Sequence, residues 1–348
     1  MSIRHSTRLL TACVALIATA TLLLPAGAQG QWTVPRTAHG HPDLQGNWSN
    51  ATITPIERPR GQAAVLTAEE VAQREGRADA IVTALAQPSD PDRGAPEAGS
   101  DIGAYNYVYI DGGSRVAIVN GEPRSSLITN PPDGRRPALT PEGEKRRNEV
   151  RDFMAGFSQY DNPENRPLEE RCIMSFGSNG GPPMLPNYFY NNNYTIVQTA
   201  DYVMIMTEMV HDTRIIRLGT PDPLPAHIRP WLGDSWGRWQ GDTLVVETTN
   251  IHPEQNLAGY PPAAFKPSEN IKVTERFTRA DEHTINYEFT VDDPSMLSGP
   301  FSGELPFKAL DGLVYEYACH EGNYALANVL MGARAQEREG VSNQPDTR

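Results

Sequence analysis

The chain has 348 residues and a formal net charge of −13, with 43 acidic against 30 basic side chains. This acidity argues against nucleic acid and anionic membrane surfaces as partners, because both carry negative charge themselves. The length suits one large β domain with an irregular N-terminal portion, or two domains.

The N-terminal residues have the pattern of a secretory signal peptide. Arg4 and Arg8 precede an apolar run over residues 9–24, and the small residues Ala26-Gly27-Ala28 follow that run. The run is too short for a comfortable membrane span. We therefore expect residues 1–28 to be removed. The mature protein should be periplasmic or secreted, with no membrane insertion.

Residues 29–170 are predicted to be an irregular region that carries two helices and a β-hairpin. Thr67 and Glu70 have the spacing of a capping box, which starts a helix that should end near residue 87. Thr140 precedes Pro141 and should start a second helix to about residue 157. The hairpin is expected from residues 105–110 and 115–119, on either side of a turn signal.

From residue 194 onward, short runs alternate apolar and polar residues and are separated by turn signals. This pattern predicts a mainly β domain over residues 171–340, an antiparallel meander closed as a barrel or folded as a sandwich, with a lipocalin-like barrel included. Residues 313–319 are expected to be its last strand, before a C-terminal helix over about 324–339. The Gly/Pro/Asn-rich segment 175–194 is expected to be an exposed loop.

The cysteines predict one disulfide bond. Cys13 is lost with the signal peptide, which leaves Cys172 and Cys319. Two cysteines in an oxidising compartment most often pair with each other. A thiolate metal site and two free thiols are the alternatives, and no residue is assigned as a metal ligand.

Several longer motifs resemble an uncharacterised family of secreted bacterial proteins. They are "RSSLITNPPDGRRPALTPEG", "WLGDSWGRWQGDTLVVETTN", "VTERFTR" with "TVDDP", and "YEYACHEGNYAL". The similarity extends over nearly the whole mature chain. It implies secretion and one shared architecture, and it implies no particular activity.

The turn after a predicted strand contains the first candidate catalytic group. His211 beside Asp212 could be a general base with its orienting carboxylate, and Arg214 could bind an anionic or carbonyl oxygen. Adjacent residues of an extended chain point to opposite faces, so the two need not touch. The alternative is a polar turn with solvated charges.

Two further His/Glu pairs are candidate catalytic groups. His252 and Glu254 follow a strand and could act as acid and base or bind a metal, although the same residues suit an ordinary turn. His320 and Glu321 follow Cys319, so a disulfide would hold them near the start of the 175–194 loop. The alternative for this pair is an exposed helix entry.

Aromatic and amide side chains form a candidate ligand-binding surface. Aromatic rings with interleaved amides suit a sugar or a phenolic ligand, although aromatics in strands more often belong to the core. The residues chosen are Tyr188, Tyr190, Asn192 and Trp236.

These observations predict an exported hydrolase or lyase with His and carboxylate acid–base groups, acting on a small or oligomeric organic substrate such as an oligosaccharide or a phenolic compound. The alternative is a non-catalytic, lipocalin-like protein that binds an apolar or aromatic small molecule. Tyr202, Met204 and Met206 would line its cavity if they face inward. The sequence contains no nucleotide or redox cofactor motif, so a cofactor stays unknown.

Overall fold

The computed structural model describes residues 32–88, 92, 94, 110–175, 177–187, 189–257 and 266–340, with the side chain of residue 211 left out. Contacts group Val34–Arg348 into a single unit. Its strands are β1 (Gly46–Ser49), β2 (Ile118–Val119), β3 (Glu122–Pro123), β4 (Ile128–Asn130), β5 (Asn193–Gln198), β6 (Tyr202–Thr207), β7 (Thr213–Leu218), β8 (Asp234–Gln240), β9 (Thr243–Thr249), β10 (Lys272–Asp281), β11 (Thr284–Asp292) and β12 (Phe301–Ala309).

Nine of these strands close into a barrel. The order around the barrel is β1, then β5 to β12 in sequence, and β1 pairs with β12 to complete the ring. β4 adds to β12 outside the ring, and β2 and β3 form a separate small hairpin. The prediction of a mainly β fold is therefore confirmed, and the sheet is a barrel instead of a sandwich.

One pair of strands in the barrel is parallel, which the predicted antiparallel meander did not include. β7 and β8 run in the same direction, with Ile216 opposite Ser235. A ring of nine strands cannot alternate direction all the way round, so at least one parallel pair is unavoidable. The Pro-rich connection over residues 219–233 makes it possible, because a parallel neighbour requires a long crossover.

The barrel interior is filled by large side chains on alternating strand positions. Tyr194 packs against Phe307 with ring centroids 5.2 Å apart, and Tyr287 lies 5.0 Å from Phe277 and 5.2 Å from Phe307. Aromatic pairs at these separations stabilise a core beyond their buried area. Glu275 on β10 and Arg214 on β7 are charged side chains that are nevertheless buried in the interior.

The three α-helices among the described residues begin where the sequence predicts. α1 (Ala68–Leu85) starts after Thr67, whose side chain forms the expected capping box with Glu70. α2 (Pro141–Met154) starts after Thr140, and α3 (Ala325–Arg338) follows the disulfide segment. Among the described residues, none of the helices combines the length and apolarity that a membrane crossing needs.

Three local predictions differ from the structure. β1 lies in a stretch that was expected to be irregular, because four residues are too few to show a period of two. Residues 313–319 are not a strand, since both edges of β12 are already paired; Leu313 and Tyr315 are about 80% exposed instead. The predicted hairpin strand at 105–110 lies almost wholly outside the described residues. The hairpin that is described turns at Asn120-Gly121, a favoured two-residue turn.

Candidate functional site

A glycine- and proline-rich segment enters one end of the barrel. Residues 177–186, here called the plug, are all buried, which corrects the expectation of an exposed loop. Gly181 has a φ of +73° and a Cβ there would lie 2.6 Å from Met184 Cγ, so only glycine fits. Tyr194 and Asn179 hold the plug inside, with Tyr194 Oη 3.0 Å from the Asn179 carbonyl oxygen.

The plug rests on a buried charged pair in the barrel interior. The Arg214 guanidinium donates to both carboxylate oxygens of Glu275, at 2.5 and 2.9 Å. Tyr287 donates to the same carboxylate at 2.8 Å and accepts from the backbone N–H of Met184 at 2.8 Å. Burial, with the charge of Glu275, raises the pKa of Tyr287 well above its usual value. Arg214 therefore lies in the core, and its position supports the plug instead of an exposed oxyanion site.

The turn between β6 and β7 anchors the start of the plug. Asp212 accepts a hydrogen bond from the Ser175 backbone N–H at 3.0 Å. His211 ends a short 3₁₀ turn, Met209–His211, in which Val210 has a φ of +59°. This geometry gives Asp212 a structural contact, and the predicted acid–base role of His211 and Asp212 stays a prediction.

A carboxylate pair that the sequence analysis missed lies near the same turn. Glu208 is buried and accepts from Asn193 Nδ2 at 2.7 Å. Burial, together with the charge of Glu208, raises the pKa of Asp111 to about 6. Asp111 precedes Gly112-Gly113 in the sequence, so its pattern indicated only a turn.

His252 is held in one orientation by two neighbours. Its ring stacks on Trp231 with centroids 3.7 Å apart, and its Nδ1 accepts from the Glu254 backbone N–H at 3.2 Å. An Nδ1 that accepts leaves the proton of the neutral ring on Nε2. Burial lowers the pKa of His252, with Arg229 acting in the same direction and Glu254 opposing it.

Lys266 and Glu169 interact with the segment of His252 and Glu254, and the sequence assigned neither of them to a site. Lys266 donates to the backbone carbonyl of Glu254, and burial lowers its pKa against the opposing charges of Glu254 and Glu169. Burial raises the pKa of Glu169, and the charge of Glu170 adds to this effect. His252, Glu254, Lys266 and Glu169 are called the rim cluster below. Within the described residues, no group of three His, Cys, Asp or Glu side chains could hold a metal ion.

The predicted disulfide lies next to the rim cluster. Cys172 and Cys319 are bonded, with an S–S distance of 2.06 Å. The Cys319 Sγ lies 3.8 Å from the Glu169 carbonyl oxygen, so the bond holds the segment that carries Glu169. His320 and Glu321 are exposed beside it, and their predicted role stays a prediction.

The four predicted ligand-binding residues do not share one surface. Tyr188 lies outside the described residues, and Tyr190 is half-buried against Phe189. Asn192 is fully buried, and its side chain accepts from the Asn187 backbone N–H at 3.0 Å. Trp236 lies on the outer wall of the barrel, where the Arg217 guanidinium covers it at 4.1 Å.

The residues proposed to line a lipocalin-like cavity point away from the interior. On β6 the buried positions are Val203, Ile205 and Thr207, whereas Tyr202 is exposed and Met204 and Met206 are partly exposed. The soft inner lining on which the binding alternative depended is therefore an outer surface.

The fold and the site define a nine-stranded barrel with an internal plug and a polar rim. Comparison with known protein families and with curated proteins finds no match for this chain. The resemblance to a family of secreted bacterial proteins consequently stays a prediction.

Proposed function

We propose that the chain is an exported acid–base enzyme of hydrolase or lyase type, and that the rim cluster is its active site. One observation carries the proposal. Burial lowers the pKa of His252 and Lys266 and raises the pKa of Glu169, so all three groups are shifted toward their neutral forms in one place. The pKa values of Lys266 and Glu169 thereby move toward 7, which suits proton transfer near neutral pH, whereas the lowered pKa of His252 keeps its ring neutral and able to donate from Nε2. Perturbed pKa values of this kind concentrate at functional sites.

The geometry supports a different role for three members of the rim cluster, while the backbone of Glu254 contacts both His252 and Lys266. His252 presents a proton on Nε2 and would donate to a substrate oxygen on which negative charge develops, because its Nδ1 is occupied. Lys266 would accept the substrate proton, since its lowered pKa increases the fraction of neutral amine. Glu169 interacts electrostatically with Lys266 and would take up the proton from Lys266 or return it to the product. Donor and base together serve both hydrolysis and elimination.

The substrate class follows from the surroundings of the cluster. Trp231 is half-buried beside His252, and an aromatic side chain at a polar site suits a sugar or a phenolic ring. The disulfide and the N-terminal pattern support an oxidising, extracytoplasmic location.

A substrate screen followed by matched substitutions tests the proposal. The full chain is assayed with p-nitrophenyl esters, p-nitrophenyl glycosides and uronic-acid oligosaccharides. His252→Ala and Lys266→Met should lower kcat by about 10²–10⁴-fold on any substrate that is turned over. His283→Ala and Lys272→Met are the controls, because both residues are exposed and lie outside the rim cluster. Full activity in His252→Ala and Lys266→Met would contradict the assignment, and binding of a probe without conversion would favour a non-catalytic binding protein.

A further inference from the structure

A separate pocket lies on the outside of the barrel, where β4 joins β12. Its volume is about 260 Å³. No member of the rim cluster contributes to it. It is called the Arg58 pocket and is lined by Arg58, Ala64, Arg124, Ser126, Thr129, Pro132 and Glu304.

Arg58 is a buried cation that forms no ion pair with a carboxylate among the described residues. The residue is 9% exposed, and its Nη1 donates to the Pro132 carbonyl oxygen at 2.6 Å, while its Nε has no partner in the described part of the chain. Arg124, in the same pocket, differs because it pairs with Glu122 and with Glu304, each at 2.5 Å. A buried charge without a counter-ion is costly, so Arg58 favours an anion from outside the chain.

The surrounding backbone holds the Arg58 guanidinium in place. The Arg58 backbone N–H donates to the Gly134 carbonyl oxygen at 2.9 Å. Gly134 has a φ of +70°, and a Cβ there would lie 2.8 Å from Arg58 Cζ and 2.7 Å from Ser126 Oγ. Any larger residue would displace the guanidinium. The cation is therefore preorganised, which reduces the ordering cost of binding a ligand.

The lining selects the chemistry of the ligand. A planar guanidinium matches a carboxylate or phosphate through two parallel hydrogen bonds. Glu304 pairs with Arg124, so the three charged side chains of the lining sum to +1, which suits a monoanion better than a dianion such as sulfate or hydrogen phosphate. Ala64 and Pro132 provide apolar contacts, and the volume is below the roughly 300–1,000 Å³ of drug-sized sites. We propose that the Arg58 pocket binds a small organic monocarboxylate whose apolar part packs against Ala64 and Pro132.

Calorimetric titration of the full chain with sodium benzoate, in a buffer without other carboxylates, tests this proposal. We expect one site per chain and no comparable heat from benzamide or sulfate. Arg58→Gln should weaken benzoate binding by about 10–100-fold, because it removes a charge-assisted pair of hydrogen bonds. Arg60→Gln is the matched control: it makes the same change of charge two residues away, at an exposed side chain that does not line the pocket.

A second variant tests the pocket without altering Arg58. Ala64→Leu adds side-chain volume to the apolar wall of the pocket and should abolish benzoate binding without changing the thermal unfolding midpoint. This variant tests the proposal even if Arg58→Gln does not fold. The proposal is overturned if benzoate gives no saturable binding at millimolar concentration. Equal weakening by Arg60→Gln, or sulfate binding as tight as that of benzoate, would overturn it as well.

Discussion

The buried pair of Arg214 and Glu275 makes a quantitative prediction about the stability of the barrel. Glu275 is fully buried and accepts three hydrogen bonds, two from Arg214 and one from Tyr287. Replacing Glu275 with Gln leaves the Arg214 guanidinium in the core without a negative partner. Removing one member of a buried pair in this way costs about 3–5 kcal/mol of unfolding free energy.

The double variant distinguishes a loss of pairing from a loss of packing. Arg214→Met combined with Glu275→Leu removes both charges and keeps apolar volume, so it should be less destabilising than Glu275→Gln alone. The exposed pair of Arg238 and Glu247, at 3.0 Å on β8 and β9, is the control. Its side chains are 50% and 42% exposed, and surface pairs of this kind contribute at most about 1 kcal/mol.

Urea unfolding at pH 7 measures all of these variants, with stability compared at unchanged m-value. A cost below about 1 kcal/mol for Glu275→Gln would refute the reasoning. The same holds if the coupling energy between Arg214 and Glu275 does not exceed that of the exposed pair. Either result would mean that water or another group solvates this charge in the folded protein.

Two other predictions concern the disulfide and the missed carboxylate. The double variant Cys172→Ser, Cys319→Ser removes a cross-link between residues that are 147 positions apart. From the chain entropy alone, its free energy of unfolding should be about 5 kcal/mol lower than that of the parent protein, as measured by urea unfolding. The pKa of Asp111 is raised from 3.8 to about 6 in the folded protein. The contribution of the protonated carboxyl to the free energy of unfolding is therefore fully present below about pH 4 and is lost as the pH rises through about 6. Asp111→Asn should therefore be more stable than the parent by roughly 1–3 kcal/mol at pH 7 and equal to it at pH 3.5. A stability difference that is the same at both pH values would contradict the raised pKa.

Local patterns predicted the elements that depend on local physics. The start of α1 follows from the capping box at Thr67, and β10 and β11 follow from alternation of inward and outward side chains. The disulfide followed from the number of cysteines and from the expected oxidising compartment. Burial of the plug could not be predicted in this way, because glycine, proline and asparagine mark irregular backbone whether it lies in solvent or in a core.

The candidate site was predictable only where its residues are neighbours in the sequence. His252 and Glu254 are two positions apart, so their contact is local and their pattern was visible. Glu169 and Lys266 reach the same place through the disulfide segment and through the long connection between β9 and β10. Each occurs in the sequence as an ordinary charged residue, and only tertiary burial perturbs its pKa.

The plug connects the charged core to the rim cluster through a short series of contacts. Met184 contacts Tyr287 and Arg214 inside the barrel, and Gly181 three residues earlier accepts from Gln255 Nε2 at 2.8 Å. Gln255 directly follows Glu254, whose backbone orients His252. The hydrogen bonds of Tyr287 and Gln255 end on backbone atoms of the plug, so the position of the loop that carries His252 and Glu254 depends on the position of the plug. The buried pair of Arg214 and Glu275 therefore has a second role besides stability. It supports the plug, and the plug in turn contacts the loop that carries the proposed catalytic groups.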